Sequence, residues 1–154
     1  GVEPGAGWTS IGFDDASWAA GVGEFGYGDG DENTLIDQGP VPDRHVTTWF
    51  RTEFEVSDPT DFASVLNRLV RDDGAVVYLN GAQVATSNMG PGQVGPETLA
   101  SDFAWGAGER EPHSLVISAD ALVVGTNVMA VEIHSADQGS QDLSFAVELI
   151  GVAQ

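Results

Sequence analysis

The chain has no cysteine and no lysine, and these absences exclude several kinds of site. Without cysteine there is no disulfide framework, no thiolate metal site and no thiol nucleophile. The 5 basic residues are all arginines and stand against 24 acidic residues, which gives a formal net charge of -19. Such a surface repels phosphate backbones and anionic lipid heads, so we expect neither nucleic acid nor a membrane as a partner.

Long apolar runs and catalytic signatures are also missing. No stretch reaches the roughly 18 apolar residues of a membrane span, and the N-terminus GVEPGAGW does not resemble a signal peptide. There is no GxSxG, no HExxH and no phosphate-binding loop, and the 3 histidines are scattered. Paired carboxylates are too abundant to indicate a glycosidase. We therefore expect no catalytic residues, in a piece cut from a longer polypeptide.

The chain from Thr48 onward alternates between apolar and polar residues. In residues 48–56, Phe50 and Phe54 lie on one face, and Arg51 and Glu53 lie on the other, as in a half-buried strand. The 154 residues suffice for one domain, 1–154, without covalent staples. Short strands between turn signals predict an all-β antiparallel sandwich of the jelly-roll type. The further predicted strands are 63–70, 75–80, 83–86, 114–117, 128–134 and 143–150.

Turns and loops separate these strands. Residues 71–74, Arg-Asp-Asp-Gly, predict a tight acidic turn whose glycine is available for positive φ, and Asn80-Gly81 predicts a type I′ hairpin. Residues 87–112 form a long loop rich in Gly, Pro and Ser that contains Trp105. Structureless loops of this length are usually functional.

Six motifs follow one another over nearly the whole chain: FDDASW, GYGDGDENT, TTWFRTEFEV, RDDGAVVYLNG, ADALVVGTNVMAVEIH and DLSFAVELIG. In that order they resemble the galactose-binding-like jelly-roll domains attached to secreted bacterial enzymes. Part of the series also resembles the sugar-binding jelly-roll domain of the β-galactosidase and β-glucuronidase class. The resemblance implies an extracellular, monomeric, non-catalytic carbohydrate-binding module that targets a linked catalytic domain to a polysaccharide. The same fold carries phospholipid binders and structural modules, so a structural or cell-surface interaction module is the alternative.

Two acidic segments are candidate calcium sites. Asp29, Asp31 and Glu32 lie in a glycine-rich loop, and Ca²⁺ takes six to eight oxygen ligands from such groups. The alternative is a solvated acidic turn. Asp72 and Asp73 precede a glycine and resemble the DDG motif of the protective-antigen-like adhesin lectins, which implies Asp73 as a calcium ligand. Alternatively, Asp72 pairs with Arg71 or Arg51, and Asp73 caps the turn.

Sugar binding needs an aromatic face and a few polar groups. Trp105 is the ring best placed for exposure, whereas Trp49 and Tyr78 lie mid-strand. If the last two strands pair as an antiparallel hairpin, Glu132, His134 and Asp142 converge at one rim. The acidic surface favours a neutral or weakly charged glycan. The predicted ligand-binding residues are Trp105, Tyr27, Arg71, Asp72, Glu132, His134 and Asp142.

Overall fold

The computed structural model describes residues 1–154, apart from the side chain of Ala107. Its helices are short: α1 spans Ala107–Arg110, and single 3₁₀ turns span Pro59–Asp61 and Ala119–Ala121. No helix in this described chain is long and apolar enough to cross a membrane. The strands are β1 Phe25–Tyr27, β2 Thr34–Leu35, β3 Thr47–Val56, β4 Phe62–Arg71, β5 Gly74–Leu79, β6 Ala82–Ser87, β7 His113–Ser118, β8 Gly125–His134 and β9 Leu143–Ala153.

The strands form two sheets that pack face to face. Sheet A has the order β2-β1-β9-β4-β7, and sheet B has the order β3-β8-β5-β6. Neighbouring strands are antiparallel except for the short parallel pair of β1 and β2. From β3 onward the chain changes sheet at every connection except the β5–β6 hairpin, as strands do in a jelly roll. The predicted all-β jelly-roll sandwich is therefore confirmed.

The predicted strands agree with the observed ones to within a few residues. The largest shifts are that β8 begins at Gly125, because pairing with β3 extends to Val56, and that β9 continues to Ala153. Asn80 and Gly81 have φ of 51° and 89°, as the two central residues of a type I′ turn require. The predicted hairpin between the last two strands is wrong, because β8 lies in sheet B and β9 lies in sheet A.

The core lies between the sheets. Phe50 of β3 contacts Phe145 of β9 with ring centroids 4.2 Å apart, and Phe25 of β1 packs against both rings. Leu69 of β4 and Val131 of β8 are almost wholly buried in the same cluster. Each side chain of this size stabilises the fold by about 1.5–3 kcal/mol when buried, so the apolar residues that alternate along the strands contribute much of the free energy that holds the sheets together.

The outer face of sheet B is also covered. Val76, Val128 and Ala130 lie outside the core cluster, yet each is 0% exposed. Residues 1–20, called here the N-terminal segment, fold back over this face. The Arg51 guanidinium holds the segment by pairing with Asp15 and donating to the backbone carbonyl oxygens of residues 10 and 13. An irregular layer therefore lies on sheet B opposite the core.

Candidate functional site

A pocket of about 440 Å³ lies between the outer face of sheet B, the N-terminal segment and loop residues 94–96. Three aromatic rings line it, those of Trp8, Trp49 and Tyr78, together with the carboxylate of Glu132. Its volume falls within the range of pockets that bind small molecules.

The strand register brings the sheet residues of this pocket together. Trp49 of β3 lies opposite Glu132 of β8, and Glu132 lies opposite Val76 of β5. Tyr78 follows Val76 by two residues and therefore points to the same face. Trp8 comes from the N-terminal segment, and its ring contacts that of Tyr78 edge to face at a centroid distance of 5.6 Å. The pocket therefore needs three neighbouring strands and one irregular segment.

Glu132 is the polar centre of the pocket. The Trp49 indole donates to its Oε1 over 3.3 Å, and the Tyr78 hydroxyl donates to its Oε2 over 3.3 Å. Burial and the nearby Glu132 charge raise the pKa of Tyr78 to about 12, so the phenol stays a neutral donor. A carboxylate offers about four acceptor positions; the indole and the phenol hydroxyl engage two of them, and His134 Nε2 lies 3.3 Å from Oε2. Acceptor capacity therefore remains for a ligand.

His134 lies behind Glu132 and is 0% exposed. Its Nδ1 lies 2.8 Å from the Thr98 carbonyl oxygen and must therefore carry a proton, while its Nε2 lies against Glu132 Oε2. Thr47 also contacts Nδ1 and donates to the Pro96 carbonyl oxygen over 2.7 Å. His134 thus joins the carboxylate to the loop that walls the pocket. It positions Glu132 and, being buried, is not itself exposed to ligand.

The loop that follows β6 carries a second aromatic feature. Trp105 is 74% exposed, as predicted, and its ring lies 5.6 Å from that of Phe103. The two Asp73 carboxylate oxygens accept from the backbone N–H groups of Ala104 and Ala136, each over 2.6 Å. Asp73 therefore holds the exposed aromatic pair against the end of sheet B.

Gly74 is required for space. A Cβ at this position would lie 2.6 Å from Met89 Sδ and 2.8 Å from Ala100 Cβ. The expectation that Gly74 serves a positive φ is wrong, because this residue is not among those with left-handed backbone. Close approach of the loop to the turn explains the glycine instead.

Several predicted ligand-binding residues are engaged within the fold. Arg71 is 8% exposed and donates to Ser87 Oγ and to the Asp73 carbonyl oxygen. Tyr27 is 7% exposed, and the Arg44 guanidinium lies over its ring at 5.7 Å. These contacts favour the structural reading of both residues.

Asp72 and Asp142 lie near Tyr27 and outside the pocket lining. Burial, together with the hydrogen bond to Asp73 and the charges of Asp73 and Asp142, raises the pKa of Asp72 to about 9. The charge of Asp142 also contributes to the raised pKa of Tyr27. Asp142 is therefore grouped with Asp72 and Tyr27, and the hairpin that would have brought it to Glu132 and His134 does not form.

The predicted calcium ligands do not converge. Asp29 accepts from the Ser144 hydroxyl over 3.1 Å and lies 3.5 Å from the Arg110 guanidinium. Glu32 accepts the N–H groups of residues 29 and 30, and Asp31 is exposed. Within the described part of the chain, no three acidic or histidine side chains could hold one metal ion. Calcium binding through these residues, Asp73 included, stays a prediction.

Trp8 and Glu3 are pocket residues that the sequence analysis missed, and Trp8 is the more informative of the two. It lies in a segment without strand or helix periodicity, so no pattern indicated that it returns to sheet B. The outward positions of Trp49 and Glu132 on predicted strands were the available signal. These two positions indicate a shared site only when β3 and β8 are known to be neighbouring strands.

Comparison with known proteins gives little similarity. No protein-family profile matches the chain, and no curated protein sequence matches it. A solved structure of Streptomyces avermitilis alpha-L-rhamnosidase complexed with L-rhamnose is similar at 20% identity with a TM-score of 0.46. That similarity covers 71% of this chain and 9% of the rhamnosidase chain.

Proposed function

We propose that this protein binds a carbohydrate in the pocket on the outer face of sheet B. The arrangement of three aromatic rings around a held carboxylate carries the proposal. Aromatic faces pack against the C–H side of a pyranose, and a carboxylate with a free acceptor position can receive a sugar hydroxyl. The indole N–H of Trp49 and the hydroxyl of Tyr78 preorganise that carboxylate.

The exposed pair Phe103 and Trp105 supports a longer binding surface. One loop supplies both the pocket wall at residues 94–96 and this pair, so a polymer could contact both. We propose that the chain is a non-catalytic module of a secreted bacterial protein. In this role it raises the concentration of a linked enzyme at its polysaccharide.

Within the jelly rolls, we propose the galactose-binding-like type. Asn80 of the VYLNG motif donates to Asn127 Oδ1 of the GTN motif over 2.8 Å, and Asn80 Oδ1 accepts the Val128 N–H over 2.8 Å. The two motifs therefore form one structural unit that ties the β5–β6 hairpin to β8. Their co-occurrence supports the fold type and is independent of the ligand.

Affinity-gel retardation on a panel of soluble polysaccharides tests the proposed function. Trp49→Ala should weaken binding by roughly 5- to 150-fold, because one stacked ring contributes about 1–3 kcal/mol and 1.4 kcal/mol corresponds to about tenfold. Trp105→Ala should reduce it less, and Val116→Ala, an exposed change on sheet A, should not reduce it. Retention lost with Trp105→Ala but kept with Trp49→Ala would move the site to the loop.

Repeating the retention test with and without calcium, and assaying the purified protein for reducing-end release, complete this test. Absence of retention on every polysaccharide, with and without calcium, would contradict carbohydrate binding and favour the structural module. Release of reducing ends by the purified protein would contradict the non-catalytic role. A chelator that abolishes retention would instead support the predicted calcium dependence.

A further inference from the structure

We infer that the pocket selects a glycan that carries a positive charge, namely one with free amino groups. This inference rests on the proposed function and specifies its ligand class.

The pocket lining is acidic and aromatic. It contains two carboxylates, Glu3 and Glu132, and no arginine or histidine side chain among the described lining residues. An ammonium group entering the pocket therefore meets acceptors and negative charge, and it displaces no basic side chain.

The aromatic rings add a second attraction for a cation. Trp8, Trp49 and Tyr78 surround the space next to Glu132, and a ring face attracts an ammonium group through its quadrupole. A neutral sugar gains the stacking contacts alone, whereas an amino sugar gains stacking, the cation–π interaction and a charged hydrogen bond to Glu132.

The net charge of the chain acts in the same direction. At -19 it raises the local concentration of a polycation and increases the association rate at low salt. A neutral glycan gains nothing from this field. We therefore propose a cationic glycan in place of the neutral or weakly charged one predicted from the sequence, because the pocket itself is acidic.

Isothermal titration calorimetry with two matched ligands tests the inference. The ligands are a glucosamine oligosaccharide and an N-acetylglucosamine oligosaccharide of the same length and linkage, so they differ in amine charge and in the acetyl groups. We expect the free amine form to bind at least about tenfold more tightly at low ionic strength, with the ratio falling in high salt.

Two charge-removing variants locate the effect. Glu132→Gln should lower the ratio of amine affinity to acetylated affinity toward one, because it removes the charge. The ratio is the readout, since the glutamine amide loses an acceptor for Trp49 or Tyr78 and weakens the binding of both ligands. Glu3→Gln, in an exposed and irregular stretch, should lower the ratio less and should not disturb the fold. The control is Glu111→Gln, an equal change of charge at an exposed residue outside the pocket lining, which should leave the preference unchanged.

The outcomes separate this inference from the function on which it rests. Equal binding of both oligosaccharides would overturn the amino-sugar assignment and leave carbohydrate binding intact. Tight binding of tetramethylammonium without binding of any glycan would overturn both, since the pocket would then be a cage for a non-sugar cation. A preference unchanged by both Glu132→Gln and Glu3→Gln would also overturn the assignment to this pocket.

Discussion

At the scale of single residues, two adjacent aspartates have opposite roles. Asp73 is a buried acceptor, and both of its oxygens receive backbone N–H groups from two separate loops. Asp72 is equally buried, but its environment favours the neutral form and raises its pKa to about 9. Asp73 stabilises the fold by accepting these two hydrogen bonds, whereas Asp72 is tolerated because its environment favours the protonated form.

Asp72→Asn should therefore stabilise the protein at pH 8, by about 1–3 kcal/mol. An acid whose pKa is higher in the folded than in the unfolded state makes stability fall as pH rises, here between about 4 and about 9. The variant should lack this decrease in the free energy of unfolding with rising pH. Urea denaturation at several pH values measures it, and a slope identical to that of the wild type would contradict the assigned protonation.

Asp73→Asn should destabilise the protein by about 2–4 kcal/mol, because an amide nitrogen cannot accept and leaves one backbone N–H unpaired. Asp31→Asn, at an exposed residue, is the control with the same change of charge and should have little effect. The measurement is again urea denaturation, at pH 7. Equal stabilities of the two variants would show that Asp73 does not hold the loops.

At the scale of elements, the N-terminal segment depends on one arginine of β3. The Arg51 side chain is 1% exposed, and its guanidinium donates to two backbone carbonyl oxygens of the segment as well as pairing with Asp15. Its Nε has no hydrogen-bond partner in the described residues. Asp15, whose side chain is 42% exposed, is the carboxylate of the segment that pairs with this guanidinium.

Asp15→Asn should loosen the segment and cost about 1–2 kcal/mol, less than a fully buried pair because Asp15 is partly solvated. Hydrogen exchange should speed up across residues 1–20, and glycan affinity should fall because Trp8 is displaced. Asp14→Asn is the matched control, since Asp14 accepts from the Ala16 N–H and asparagine caps equally well. Unchanged exchange in Asp15→Asn would show that the segment docks without this pair.

The same segment shows the limit of prediction from sequence. Strands β3 to β9 were predicted because alternation and turn chemistry are local, as at Phe50 and at Asn80. The docking of Trp8 is a tertiary contact without a local pattern. The pairing of Trp49 with Glu132 follows from sheet order, which the sequence alone did not provide. The fold was therefore predictable, and the assembled pocket was not.

At the scale of the whole molecule, the excess of negative charge opposes folding. The described chain has few arginine–carboxylate pairs, and Arg68 with Glu148 is an exposed example. Self-repulsion among the remaining carboxylates is screened by salt, since the Debye length is about 10 Å at 0.1 M and about 3 Å at 1 M. Net charge thus makes stability depend on ionic strength.

The melting temperature should rise by several degrees between low salt and about 0.5 M NaCl. The control compares CaCl₂, MgCl₂ and NaCl at equal ionic strength. Similar effects would indicate screening alone. A much larger effect of CaCl₂ would show a specific calcium site, as the sequence predicted, and a melting temperature insensitive to NaCl would contradict the self-repulsion.

Strand β1 pairs with β9, so Phe25 lies opposite Phe145 in sheet A. During synthesis this pairing must wait until the C-terminal strand has left the ribosome, because contacts distant in sequence form late. Until then Phe25 and Phe50 lack the ring against which both pack, and their apolar surface stays exposed to solvent or to chaperones. A nascent chain halted before residue 143 should therefore be sensitive to protease, and release of β9 should bring protection to the whole sandwich at once.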